Sequence, residues 1–209
     1  PANRRALLSL VLVLDELGRE DEAASLVEEA LAYYPRNAQV RYIAAKHYAE
    51  HDDLDDAEYH AARAVELEPG YRDAALLLAE IYLRTEQNPR AVTMLEDLIA
   101  TDREQPLVWY GLGTAYRRLT RYEEAMNAFA FAIRYRPDDE ISRISLERLI
   151  IDHLKLGDAR RSRFAEHHIE LGQAYQDRNY LDRALRAYRR ALLIDPHSRQ
   201  ARKLYAEVF

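Results

Sequence analysis

The chain contains no cysteine. That absence excludes disulfides, thiolate nucleophiles and cysteine-ligated zinc, and it leaves cytoplasm and bacterial periplasm both allowed. Glycine and proline are few, at six and seven residues, and most stand where helices are expected to end, so nothing is loop-rich or collagen-like. The longest apolar run, Ala6 to Leu14, is interrupted by Ser9 and falls far short of the roughly 20 residues of a membrane span. There is no excess of positive charge either. A formal −6 argues against nucleic acid as the main partner, because phosphate neutralisation needs a basic surface. Lysine is nearly missing: Lys46, Lys155 and Lys203 are the only three, and arginine carries the rest of the positive charge. The chain begins at Pro1 without methionine, which is read as a fragment or a processed form.

What is present is a globular balance, 48% apolar and 32% charged, that can bury a core. Its charge is uneven. Residues 155–209 hold twelve Lys and Arg against seven Asp and Glu, a local +5 on a chain that is acidic elsewhere.

The stretch Trp109-Tyr110-Gly111-Leu112-Gly113-Thr114-Ala115-Tyr116, followed by Ala125, Phe129, Ala132 and Pro137, organises the rest. Trp109, Leu112 and Tyr116 fall on one helical stripe. Gly113 removes a side chain where two helices meet closely, and Ala125 and Ala132 bracket Phe129 on a second helix so that its ring can dock. This W-x2-L-G-x2-Y and A-x3-F-x2-A-x4-P pattern resembles the tetratricopeptide repeat (TPR), a helix-turn-helix unit of about 34 residues.

The same frame runs backward without slippage. Residues 4–37 supply Leu7, Leu10, Val11, Leu14, Ala23, Val27, Ala30 and Pro35 at the matching positions. Residues 38–71 supply Arg41, Ala44, Ala45, Tyr48, Ala57, Ala61, Ala64 and Pro69. Residues 72–105 supply Ala75, Leu78, Ala79, Tyr82, Ala91, Leu95 and Leu98, with Arg103 in the place of proline. With 106–139 this makes four consecutive units. A fifth match occupies 165–198, through His168, Leu171, Gly172, Tyr175, Ala184, Tyr188, Ala191 and Pro196, but it starts 25 residues late. The interval 140–164 is expected to hold one spacer helix, about 139–156, closed by Gly157, with Asp158 capping the next helix; either that helix is lengthened to about 159–178 and packs against the spacer, or the superhelix bends there. Residues 199–209 read as a capping helix with a polar face at Arg199, Arg202 and Lys203. The resemblance implies an all-α right-handed solenoid interrupted before its last repeat.

Candidate chemistry is thin. His47 and His51 stand four apart on one helix beside Asp52 and Asp53, a metal-ligand spacing, but no third ligand is placed by the sequence and helix-end acids account for the aspartates. Gly111-Leu112-Gly113 lies inside the helical stripe, with no preceding strand and no following lysine, so it is not a phosphate loop. His167 and His168 point to different helix faces. Of fifteen tyrosines, Tyr48, Tyr82, Tyr116 and Tyr175 take the repeat's buried position and Tyr188 replaces its phenylalanine, which assigns these five to the core. No catalytic residue, cofactor or metal is expected.

The resemblance also implies that the first helix of each unit lines a concave groove, through its fifth, ninth, twelfth and thirteenth residues. That picks out Leu8, Leu12, Tyr42, Lys46, Leu76, Glu80, Arg84, Tyr110, Arg117 and Arg118. The recurring apolar fifth position suits a protein or peptide segment with apolar anchors and some acidic character. The carboxylate clamp of chaperone-binding TPR domains is missing, since Leu8 and Leu12 replace its lysine and asparagine. Arg183, Arg186, Arg189 and Arg190 recur at helical spacing in the last repeat and form a candidate docking patch for an acidic surface, or a solvated face. Leu8, Leu12 and Val13 are surplus to the repeat core, so the first helix is expected to be covered by a preceding repeat or by a second copy of the chain. The expected function is a non-enzymatic interaction scaffold, with a regulatory module of a larger enzyme or sensor and a homo-oligomerisation element as competing readings.

Overall fold

The computed structural model describes residues 3–209, and among them every regular element is an α-helix. In chain order these are α1 (Arg4–Glu16), α2 (Glu20–Tyr33), α3 (Ala38–Glu50), α4 (Leu54–Leu67), α5 (Arg72–Arg84), α6 (Asn88–Thr101), α7 (Pro106–Arg118), α8 (Tyr122–Tyr135), α9 (Glu140–His153), α10 (Ala159–Asp177), α11 (Leu181–Ile194) and α12 (Arg199–Val208). They group into two compact units that meet in sequence between Arg121 and Tyr122.

The helices start and stop for local reasons. Asn3, Asn37, Asp53, Asp139, Asp158 and Ser198 each accept a backbone N–H of the first turn, which satisfies donors that no helical carbonyl can reach. The turn that closes α1, α3, α5, α7 and α10 is the same each time. Its left-handed residue is Gly18 (φ 68°), Asp52 (63°), Glu86 (59°), Thr120 (58°) and Asn179 (60°). The next N–H then reaches back to the helix, as from Arg19 to Leu14 O (2.9 Å) and from Arg121 to Tyr116 O (2.9 Å). Only one of the five is glycine, so the turn is imposed by packing on residues that resist it, β-branched Thr120 most of all.

In the first unit α1, α3, α5 and α7 form one layer, each packed on the next, and α2, α4 and α6 form the other, wedged between successive members of the first. Small residues make the close approach possible: Ala23, Ala57 and Ala91, one per repeat, have no exposed surface. The entries into α3 and α7 share a fastening. Arg41 donates to Pro35 O (2.9 and 3.1 Å), and Trp109 Nε1 makes the equivalent bond to Arg103 O (2.7 Å), six residues upstream in both cases. Arg41 also donates to Nδ1 of the buried His60 (3.0 Å), whose ring stacks on Tyr48 at 5.4 Å.

In the second unit α9 packs on α8 and touches both α10 and α11, which are the most closely paired helices of the unit, and α12 lies on α11. α9 begins as α3 does, capped by Asp139 and fastened by Arg143 to Pro137 O (2.5 Å). It ends at His153, short of the 156 expected, because Leu154 turns to extended backbone where its carbonyl meets Arg161. Arg161 is only 5% exposed and reaches three helix-terminal carbonyls: Ile151 (2.8 Å) and Leu154 (2.8 Å) at the end of α9, and Ile194 (2.7 Å) at the end of α11. A guanidinium is suited to this place because its planar donors match carbonyls that carry the negative end of a helix dipole. Gly172 lies where the repeat demands a missing side chain: a Cβ there would stand 2.3 Å from the ring of Tyr188.

Candidate functional site

The residues expected to line a groove divide sharply. Leu8 is buried in a cluster with Val11, Val27, Val40 and Ile43, and Leu12 is packed against it. Neither is a surplus residue, a correction that follows from tertiary packing: α1 rests on α3 as well as on its own partner α2. The apolar residues that α1 does expose are Leu10, Val13 and, just past its end, Leu17, at 46, 47 and 65%. Leu10 had been assigned to the core. Its counterpart Ala44 is covered by Val27 and Ala30 of the preceding hairpin, and among the described residues none precedes α1.

Arg84 and Arg118 are exposed and also act as structural clasps. Arg84 donates to Ala49 O (2.8 Å) and Asp52 Oδ1 (2.7 Å), and Arg118 donates to Leu83 O. Each thereby caps the last turn of the odd-numbered helix one repeat earlier, at carbonyls that have no partner in their own helix. Tyr42 is half-buried with its ring 5.2 Å from that of Tyr71. Lys46 pairs with Glu50 at 3.5 Å on the exposed side of α3. Leu76 and Tyr110 are half-buried, while Glu80 and Arg117 are exposed.

The second unit holds a better-defined concavity. A groove of about 520 Å³ opens between α9, α10 and α11, walled by Arg143, Arg183, Arg186 and Arg190. Apolar residues also open into it, Ile144 at 53% exposure and Leu171 at 36%. The carboxylate of Glu147, 3% exposed, accepts from His168 Nε2 (2.6 Å) and Arg190 Nε (2.8 Å). Burial pushes that carboxyl up, but the bonds and charges of His168 and Arg190 outweigh it and hold Glu147 below the ordinary glutamate range. Arg183 lies over the rings of Tyr180 and Tyr175, at 5.5 and 5.8 Å. Arg189, the remaining member of the patch read from the sequence, turns to α12 and donates to the Tyr205 hydroxyl (3.2 Å). Burial and then the positive charge of Arg143 lower the His167 pKa, so the groove disfavours one more positive charge.

The exposure of Leu171 has a cause in the repeat. It occupies the leucine position of the motif, and the equivalent Ala44, Leu78 and Leu112 are at most 3% exposed. In this unit α10 packs chiefly on α11 and only lightly on α9. Arg143 and Ile144 escaped the sequence reading because they lie in the interval outside the repeat frame. The one available signal was a core-position leucine placed directly after the frame break.

His47 and His51 meet a residue that spacing along α3 does not reveal. Asp15, on α1, accepts from His47 Nδ1 at 2.8 Å and lies 3.4 Å from His51 Nε2.

The tetratricopeptide repeat profiles match residues 8–72, 48–114, 107–139 and 165–198, so that they cover most of the chain. The chain belongs to the tetratricopeptide repeat family. TPR repeat-containing protein YpiA of Bacillus subtilis (strain 168) is 26% identical over 122 residues, 58% of this TPR chain and 29% of that protein. Anaphase-promoting complex subunit 7 of Arabidopsis thaliana is 26% identical over 133 residues, 63% of this chain and 24% of that protein. The chain thus spans less than a third of the length of either relative. A solved structure, YrrB, described as a TPR protein with an unusual peptide-binding site, superposes with a TM-score of 0.62 at 15% identity, over 97% of this chain and 91% of that one. The TPR fold and these relatives make the chain a protein–protein interaction module, and among the described residues no helix is long and apolar enough to cross a membrane.

Proposed function

We propose that this TPR chain is a non-enzymatic scaffold that holds an acidic protein segment in the groove of its second unit, and so assembles or localises a complex. The observation that carries the proposal is Leu171: a core-position leucine left open on the floor of a groove walled by Arg143, Arg183 and Arg186. Among the described residues none of these three arginines has a carboxylate within ion-pair distance. An aliphatic or aromatic anchor on the partner would cover Leu171 and Ile144, while flanking Asp or Glu would meet the guanidinium groups. The unusual peptide-binding site of YrrB is a property of that protein, and it supports the class of ligand here without locating it.

The odd-numbered helix layer of the first unit is the second candidate surface, through Tyr42, Lys46, Leu76, Glu80, Tyr110 and Arg117. One experiment separates the two. Partners captured by the wild-type chain from its native source are compared with those held by Arg183→Glu plus Arg186→Glu and by Tyr42→Ala plus Tyr110→Ala. Loss from the charge-reversal variant alone, with binding that weakens as salt is raised, supports the second-unit groove. Loss from the tyrosine variant alone moves the site to the first unit. A partner retained by both variants refutes groove binding.

A further inference from the structure

We propose that Asp15, His47 and His51 form a zinc site that staples α1 to α3, the first two helices of the inner layer. The donor atoms already converge. His47 Nδ1 stands 2.8 Å and His51 Nε2 3.4 Å from the same oxygen, Asp15 Oδ1. One ligand atom from each residue lies within 4.8 Å of the others. In a tetrahedral zinc site with bonds of roughly 2.0–2.1 Å, neighbouring donors stand roughly 3.4 Å apart. The His51–Asp15 pair has that separation now, and the His47–Asp15 pair needs to open by a few tenths of an ångström.

Two further features point to a ligand rather than to a hydrogen-bonded cluster. The Asp15 side chain is 5% exposed, yet its second oxygen, Oδ2, is buried without a hydrogen-bond partner. A buried carboxylate oxygen without a partner is costly, and a metal bound by the carboxylate would neutralise it. In addition, His51 turns Nε2 to the site while its Nδ1 lies 3.2 Å from Glu20 Oε1. That is the arrangement by which a carboxylate receives the second ring proton of a metal-bound imidazole, fixing its tautomer and orientation.

The donor set selects the metal. Two imidazoles and one carboxylate suit zinc and its neighbours in the first transition row, whereas magnesium and calcium require oxygen shells. The side chain of His51 is 23% exposed, against 4% for His47, so the open side of the site lies at His51 and leaves a fourth position for water. Spacing on α3 alone could not disclose this, because the third ligand arrives from 32 residues upstream of His47 through the packing of α1 on α3.

The test is calorimetric titration of the metal-stripped chain with zinc chloride, with thermal unfolding followed in parallel. The expected results are one zinc per chain at the site, a rise in Tm with zinc and none with magnesium, and visible d–d absorption with cobalt(II). His51→Ala, at the partly open end of α3, should lower zinc affinity at least tenfold, and Glu20→Gln should lower it by a smaller factor. Circular dichroism of both variants checks that helix content is kept. Absence of stoichiometric binding to the wild type overturns the proposal. So does equal zinc affinity in the wild type and His51→Ala, which would assign the metal to the other histidines.

Discussion

Both units seal their helix seams with alanine, and the first also buries histidines where the second buries an arginine and a glutamate. Ala23, Ala57 and Ala91 repeat at one position in the first unit with no exposed surface, and the arginines there fasten helix ends from the outside. In the second unit Arg161 and Glu147 are themselves buried, at 5 and 3%, and each is fully engaged by neighbours. The contrast follows the register. In the first unit the ends of α3 and α5 are reached by an arginine of the next repeat. At the end of α9 the carbonyls of Ile151 and Leu154 are reached instead by the buried Arg161.

The comparison breaks most directly at Arg161. Arg161→Met would orphan the carbonyls of Ile151, Leu154 and Ile194 together and should cost about 3 kcal/mol or more. Arg84→Met, which releases the equivalent clasp at the surface of the first unit, should cost no more than about 1 kcal/mol. Urea unfolding of the two variants measures the difference, and hydrogen exchange should localise the Arg161 loss to α9 and α11.

A smaller contrast lies in two glycines. Gly172→Ala would drive a methyl group into the fully buried Tyr188 ring, 2.3 Å away, with an expected loss of about 2–3 kcal/mol. Gly111→Ala meets only the flexible end of Leu95 at 3.3 Å, and the gain in helix propensity should leave it within about 1 kcal/mol of wild type. Thermal melts of the two variants should separate clearly.

Acid should reach the histidines and Glu147 in different windows. Burial, and then the charge of Arg41, lowers the His60 pKa below its ordinary 6.5, so the folded first unit prefers the neutral ring. Its contribution is complete above 6.5 and is lost as pH falls through the lowered folded value. Glu147 is also lowered, from 4.5, and its contribution to the second unit is present above that value and lost only as pH falls further, through its own folded value. Hydrogen exchange between neutral and acid pH should show α3 and α4, together with α10 around His167, loosening before α9. His60→Gln should remove the earlier step from α3 and α4.

The smallest expected effect concerns the left-handed turns. Thr120 adopts φ 58°, a region a β-branched residue resists, so Thr120→Gly should stabilise the chain by about 1 kcal/mol. Gly18→Thr at the equivalent turn should destabilise it. Chemical denaturation reads both signs.

Much of the architecture was legible in the residues. The buried motif positions Leu112, Ala125, Phe129 and Tyr188 were identified from spacing, and so was Gly172, because one helix pitch determines which side chains share a face. Leu8 and Leu10 were misplaced for one shared reason: what covers them depends on the neighbouring repeat as well as on their own hairpin. The groove around Leu171 escaped notice because its walls combine a repeat helix with residues of the interval that has no repeat pattern.

By itself the sequence determined the helical repeat, its period, the small and large residues of its seams, and the basic character of the C-terminal stretch. These are properties of local periodicity and composition, carried within a single turn or hairpin. Only the tertiary structure decided which apolar residues are covered, which arginines are clasps, and that Asp15 faces His47 and His51. Those outcomes depend on contacts between residues about one repeat apart, and a side chain's burial or partner is set by the helix that packs against it rather than by its own place in the pattern.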